Sequence, residues 1–167
     1  RIDRGASGAV LFALDADAAR AASELFVAGT IRKRYLAITR GHPPEHAVID
    51  HPIPREPGGD RVPAVTEIWR RDTFGRYALV EAHPRTGRLH QIRRHLKHLS
   101  HHLIGDSSHG DGRHNRNFRM LGIQRMLLHA RRLAFAHPQT GARIDACAPV
   151  DAEFAKVLAM FGVAASD

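Results

Sequence analysis

The sequence predicts an α+β domain built on a largely antiparallel sheet. Strand-like runs outnumber helical ones, and neighbouring strands are joined by short turns, not by helical crossovers. The helical periods are few, and no regular βαβ alternation is visible. At 167 residues and 43% hydrophobic the chain is long enough to bury a continuous core, and we read residues 1–167 as one catalytic-sized domain.

Taken in order, the apolar run Ala9 to Leu14 reads as a strand following a glycine. Asp15 or Asp17 can cap a helix that carries Ala18, Ala22, Leu25 and Phe26 and closes at Gly29. Lys33 to Arg40 alternates as a strand and Ala47 to His51 is a shorter one, while residues 54–63, rich in Pro and Gly, read as a surface loop. Residues 64–71 and 76–83 form a hairpin around Asp72-Thr73-Phe74-Gly75. From His90 the period becomes helical, with Ile92, Leu96, Leu99 and Leu103 on one face. Residues 105–117 are polar and glycine-rich, and read as a functional loop. A last hairpin pairs Met126–Phe135 with Ala142–Cys147, and Asp151 caps a closing helix whose apolar face is Phe154, Val157, Leu158 and Phe161.

Charge and composition narrow the function. Twenty-five basic residues against 17 acidic give a net charge of +8, which favours a polyanionic partner, since each phosphate contact releases condensed counterions. Aromatics are scarce at 6%, which argues against a generic stacking surface for single strands. A single cysteine, Cys147, excludes an internal disulfide framework and a thiolate-rich zinc site, and points to a reducing, cytoplasmic setting. No apolar run approaches the ~20 residues of a membrane span, so no membrane role is expected.

Two short segments carry the chemistry. Asp3 lies between Arg1-Ile2 and Arg4 and leads into Gly5-Ala6-Ser7-Gly8, a small and flexible stretch that lets a carboxylate approach a ligand closely. Thr86-Gly87-Arg88-Leu89-His90-Gln91-Ile92-Arg93 spans a strand-to-helix junction, a rigid base from which side chains point outward. Arginines at the positive end of a helix dipole require an anion or acid opposite them. A histidine-rich metal site drawn from His98, His101, His102, His109 and His114 with Asp106 and Asp111 is the rival chemistry, but His-Leu-Ser-His-His is no established ligand spacing.

On these residues the chain resembles the RluA-type pseudouridine synthases. That family's motif His-Arg-Leu-Asp-x-x-Thr-Ser-Gly is matched from Arg1 to Gly8, with Ala6 in place of Thr. Its Gly-Arg-x-His-Gln-Ile-Arg is Gly87 to Arg93, its Lys-x-Tyr strand is Lys33-Arg34-Tyr35, and its Leu-x-Leu-His-Ala is approximated by Met126 to Ala130. The motif's leading His has no counterpart because the chain starts at Arg1, and the resemblance implies further strand on the N-terminal side. It also implies a mixed, mainly antiparallel bent sheet flanked by helices.

The resemblance implies roles as well. Asp3 becomes the catalytic carboxylate, and attack on the base, attack on the sugar carbon and abstraction of a ribose proton all need it ionised. Arg93 pairs with it and favours the charged form. Tyr35 packs on the flipped uracil and assists a late proton transfer, and Leu128 supplies apolar contact to the base. Arg1 fills the space that the flipped base leaves, and Arg4, Lys33, Arg34 and Arg88 become candidates for phosphate contacts, with His90 and Gln91 beside them at the site. The product keeps every atom of uridine, so no cofactor and no metal are called for. The partner is RNA. Residues 105–119 resemble the tRNA pseudouridine synthase C branch, which favours tRNA (position 65 in tRNA numbering) over ribosomal RNA. The rival outside enzymology is an RNA-binding or RNA-chaperone domain of the same fold without chemistry.

Overall fold

The computed structural model describes residues 2–163. Nine strands and four helices follow one another among them: β1 (Ser7–Gly8), α1 (Ala16–Val27), β2 (Arg32–Arg40), β3 (His46–Asp50), β4 (Ile53–Pro54), β5 (Arg61–Val62), β6 (Val65–Phe74), β7 (Tyr77–Pro84), α2 (Gln91–His98), α3 (Gly112–Met120), β8 (Leu128–Ala136), β9 (Arg143–Cys147) and α4 (Ala152–Met160). The main sheet runs β1-β8-β2-β7-β6-β3, with β9 also paired to β8. Every pairing in it is antiparallel except β1 with β8. The expected α+β class with a mainly antiparallel sheet is what the chain adopts.

Alternation along the central strands fills both faces. Ala37, Val80, Ala82 and Leu128 join Ile92 and Leu96 of α2 in one cluster. Ile38, Leu79 and Leu127 join Phe118 of α3 with Phe154, Val157 and Leu158 of α4 in the other. Successive residues of a strand point to opposite faces, so a central strand with apolar residues at consecutive positions can be covered by helices on both sides. Asp15 and Asp151 cap α1 and α4 as expected, accepting from the backbone N–H of Ala18 and Phe154.

The segment Ala9 to Leu14 is not a strand. Parallel pairing stops when the Ala9 N–H reaches the Ala130 carbonyl, and Phe12 and Leu14 beyond it are 80% and 97% exposed. The helix expected to run to Leu103 ends at His98. Ser100 turns left-handed (φ 63°), and the chain crosses to β2, where Leu103 bridges Thr39 and the Ile104 N–H donates to Ile38. Its apolar residues serve one core, but only the first half does so from a helix. The stretch 105–117 is likewise not all loop, because Asp111 starts α3 by accepting from the N–H of Arg113 and His114. Within 54–63, β4 and β5 pair in a two-stranded sheet that anchors the buried Ile53. The hairpin after β6 turns at Gly75 (φ 56°), with Phe74 already opposite Tyr77.

Candidate active site

Asp3 and Arg93, 90 positions apart in sequence, come into contact beside a cavity that Asp3 lines. The Asp3 carbonyl accepts from the Ala6 N–H at 3.0 Å, which folds residues 3–6 into a turn, and Gly5 takes φ 85°. Gly8 follows with φ 113°, and a Cβ there would come within 2.3 Å of the Ala130 carbonyl oxygen. Only glycine lets β1 lie so close to β8. Arg125 holds the turn from behind: its Nε donates to the Gly5 carbonyl at 3.3 Å, its Nη2 to the Leu128 carbonyl at 2.9 Å, and it is paired with Asp151. The Ser7 hydroxyl donates to Asp151 at 2.8 Å and lies equally close to Nδ1 of buried His129.

Arg93 is set by the junction of β7 and α2. His90 adopts φ 54°, a left-handed position that lets the chain break from the strand and start the helix at once. Gln91 braces this corner. Its Oε1 accepts from the Thr86 hydroxyl (2.7 Å) and the Arg88 N–H (3.0 Å), while its Nε2 donates to the Val65 carbonyl and the Thr66 hydroxyl, both at 2.9 Å. With both ends of the amide engaged, Gln91 shapes the site and its polar atoms have little left for a ligand.

The guanidinium of Arg93 is 6% exposed and lies between two carboxylates. Toward the protein, Nε and Nη2 fork onto Asp106 at 2.7 and 2.8 Å. Toward the cavity, Nη1 reaches Asp3 Oδ2 at 3.3 Å. Asp106 is fully buried and also accepts from the N–H of Ser108 and His109 at 2.9 Å. Burial drives the Asp106 carboxyl up, but Arg93 and these two backbone donors outweigh it and leave it below the ordinary carboxylate range. Burial drives the Arg93 guanidinium down, and Asp106 followed by Asp3 more than restores it. The acid that the helix dipole argument required is present twice.

A cavity of about 550 Å³ opens at this point, lined among others by Asp3, Lys33, Tyr35, Arg88, Gln91 and Leu128. Burial, then the charge of Asp3, raises the Tyr35 hydroxyl above the usual phenol value, so it stays protonated and able to donate. A bulge between Arg34 and Tyr35 resets the register of β2 against β8 just where Tyr35 faces the cavity. Lys33 donates to the Thr86 carbonyl at 2.9 Å, and burial lowers its pKa. Arg88 is exposed at the rim and donates through Nε to the Pro63 carbonyl.

Other candidates lie further off. Arg34 is not among the residues lining the cavity and stands 3.9 Å from Glu81. Arg4 is exposed with no side-chain partner among the described residues. His90 lies 3.2 Å from the imidazole of His109, and burial lowers both pKa values. Arg1 lies outside the described residues. Sequence reasoning missed Asp106, Arg125 and Asp151 as parts of this machinery. The sequence carries no local signal for the role of Asp106, because that role depends on Arg93 being buried against it from another element.

Comparison with known proteins bears on the same residues. The RNA pseudouridylate synthase family matches residues 1–98, which include Asp3, Tyr35 and Arg93. The chain is 40% identical to the tRNA pseudouridine synthase C of Salmonella typhi, across 97% of this chain and 71% of that one. It is 37% identical to the protein of the same name from Haemophilus ducreyi, covering 97% and 75%. Among solved structures, human RNA pseudouridylate synthase domain containing 4 superposes with a TM-score of 0.71 at 27% identity, covering 89% of this chain and 69% of that one. Domain containing 1 superposes at 0.69 and 23% identity, a likeness of fold, covering 92% and 75%.

Proposed function

Since this chain belongs to the RNA pseudouridylate synthase family, we propose that it converts one uridine of tRNA, at position 65, to pseudouridine, with Asp3 as the catalytic carboxylate. In the net reaction the C1′–N1 glycosidic bond breaks, a C1′–C5 bond forms, N1 gains a proton and C5 loses one. No atom is gained or lost overall. The observation that carries the reading is the 3.3 Å contact of Arg93 with Asp3, which lines a cavity together with Tyr35 and Leu128.

The residues divide the work. Asp3, 22% exposed and bonded to Arg93 through one oxygen, keeps acceptor capacity for the sugar or the base. Arg93 orients that carboxylate through the 3.3 Å contact from Nη1. Tyr35 provides a ring for the uracil and a hydroxyl that remains protonated, suited to the late proton transfers between N1, C5 and solvent. Leu128 supports the base from the sheet floor. A uridine inside tRNA must leave its stack at a cost of a few kcal/mol, and Lys33, Arg88 and Arg4 are suited to offset this through phosphate contacts. The names of the relatives support tRNA as the substrate. The same reading puts the protein in the cytoplasm, where tRNA is matured.

The test is tritium release from tRNA labelled at C5 of uridine, followed by mapping of the modified position. Release from tRNA with a single new pseudouridine at position 65 is expected. Release from ribosomal RNA alone would overturn the substrate, and binding without release from either RNA would leave a binding module.

A further inference from the structure

Helix α3 starts in the polar segment that the sequence marks out, and none of its residues lines the cavity. Its inner face is fixed. Phe118 enters the core, and the buried Asn115 side chain accepts from the Gly105 N–H and donates to the Asp106 carbonyl, both at 2.8 Å. The residue that forks onto Arg93 is therefore tied to this helix by its own backbone. The outer face is different. Arg113, Arg116 and Arg119 follow one another at i, i+3 and i+6, which places them as neighbours along one ridge. All three are exposed, and none has a hydrogen bond or ion pair through its side chain among the described residues.

The surroundings add to the charge. Arg40 pairs with Asp111 at the start of the helix. Burial first, then Arg40, Arg113 and Arg76 acting against Asp111, keep the His114 imidazole below the ordinary histidine value, so these cations stand close together. Like charges along one helix face destabilise it. A polyanion laid along the face reverses that penalty and releases its own counterions.

Resting on the reading of the chain as a tRNA-modifying enzyme, we propose that the Arg113–Arg116–Arg119 ridge of α3 is a second contact surface for tRNA. It grips the phosphate backbone away from the target nucleotide. A docked backbone there also bears on a helix whose inner face holds Asp106, so the grip and the site share one rigid support.

The experiment replaces all three arginines, as Arg113→Gln, Arg116→Gln and Arg119→Gln together, and in parallel as the three Lys variants. Affinity for tRNA is measured across a range of KCl concentrations, with steady-state isomerisation alongside. The Gln protein is expected to bind at least about tenfold more weakly, with the slope of log K against log salt reduced by roughly one per guanidinium lost. Its rate at saturating tRNA stays within about twofold, and the Lys protein keeps most of the affinity because phosphate gripping needs charge more than a fork. Unchanged affinity and slope in the Gln protein overturn the proposal. A fall in the saturating rate with affinity intact also overturns it, since the ridge then acts on the site and not on binding. Failure of the unsubstituted protein to isomerise tRNA removes the enzymatic reading, while the binding arm still tests the ridge.

Discussion

The two carboxylates on either side of Arg93 are chemically the same group in opposite situations. Asp106 is fully buried, forks onto the guanidinium at 2.7 and 2.8 Å and accepts two backbone N–H groups besides. Asp3 is 22% exposed and meets the same guanidinium once, at 3.3 Å. A buried carboxylate that already accepts four hydrogen bonds has little to offer a substrate, whereas one held on a single side remains available to it. The arginine thus takes its position from the inner acid and lends orientation to the outer one. Architecture and reactivity are separated across one planar side chain.

The largest effect follows from emptying the outer position. Asp3→Ala is expected to lower isomerisation by at least about 10³-fold, because the carboxylate proposed to start the reaction is gone. Affinity for tRNA should stay within a few-fold and the urea midpoint close to that of the parent, since a partly exposed turn residue carries little of the core. Tritium release, filter binding and urea denaturation read the three quantities. A large loss of stability would mean that Asp3 is as structural as Asp106 and would dissolve the contrast.

Emptying the inner position should do the reverse in stability. Asp106→Ala leaves a buried guanidinium with only one distant partner, and breaking a buried pair this way costs about 3–5 kcal/mol. The urea midpoint of this protein should fall accordingly. The sign of the pH dependence follows from the depressed folded-state pKa of Asp106. Its contribution is present in full above its unfolded value, near 4, and is lost as the pH falls through the lower folded value. Asp106→Asn should therefore show a flatter acid limb of stability below about pH 4 than the parent.

A smaller effect separates ring from hydroxyl at Tyr35. Tyr35→Phe keeps the apolar surface against the base and removes a donor that burial and Asp3 keep protonated. The turnover rate should fall by roughly 10²-fold if the hydroxyl moves a proton, with little change in KM. A change confined to KM would assign Tyr35 to packing alone.

How far the sequence could be read tracks the range of the interactions involved. Asp3, Tyr35 and Arg93 could be singled out because each sits in a short motif with turn or junction chemistry of its own, and the structure brings Arg93 onto Asp3 beside a cavity that Asp3 and Tyr35 line. The hairpin of β6 and β7 and the capped helices α1 and α4 were legible because period and caps are local signals. Asp106 was visible only as a polar residue of a glycine-rich stretch, and its role depends on Arg93 arriving from another element. Leu103 was misplaced onto a helix because apolar spacing cannot report that Ser100 turns left-handed and sends the chain across to β2. The run Ala9 to Leu14 has strand-like composition, yet a strand forms only where a neighbour accepts its hydrogen bonds, and that pairing ends at Ala130.

The smallest expected effect extends the same contrast to the cations. Arg88 lines the cavity and, among the described residues, its guanidinium donates only through Nε, to the Pro63 carbonyl. Arg34, on the neighbouring stretch of β2, is away from the cavity and 3.9 Å from Glu81. The pull of Glu81 is persistent: its pKa is held at about 2, first by the hydrogen bond from His83 and then, against burial, by Arg71. Arg88→Gln should raise KM for tRNA a few-fold and lower the salt slope of binding by about one. Arg34→Gln should change neither beyond about twofold, because Arg34 does not line the cavity. If the two variants weaken tRNA binding equally, proximity to the cavity is not what selects the phosphate contacts, and the basic surface acts as a diffuse field around the site.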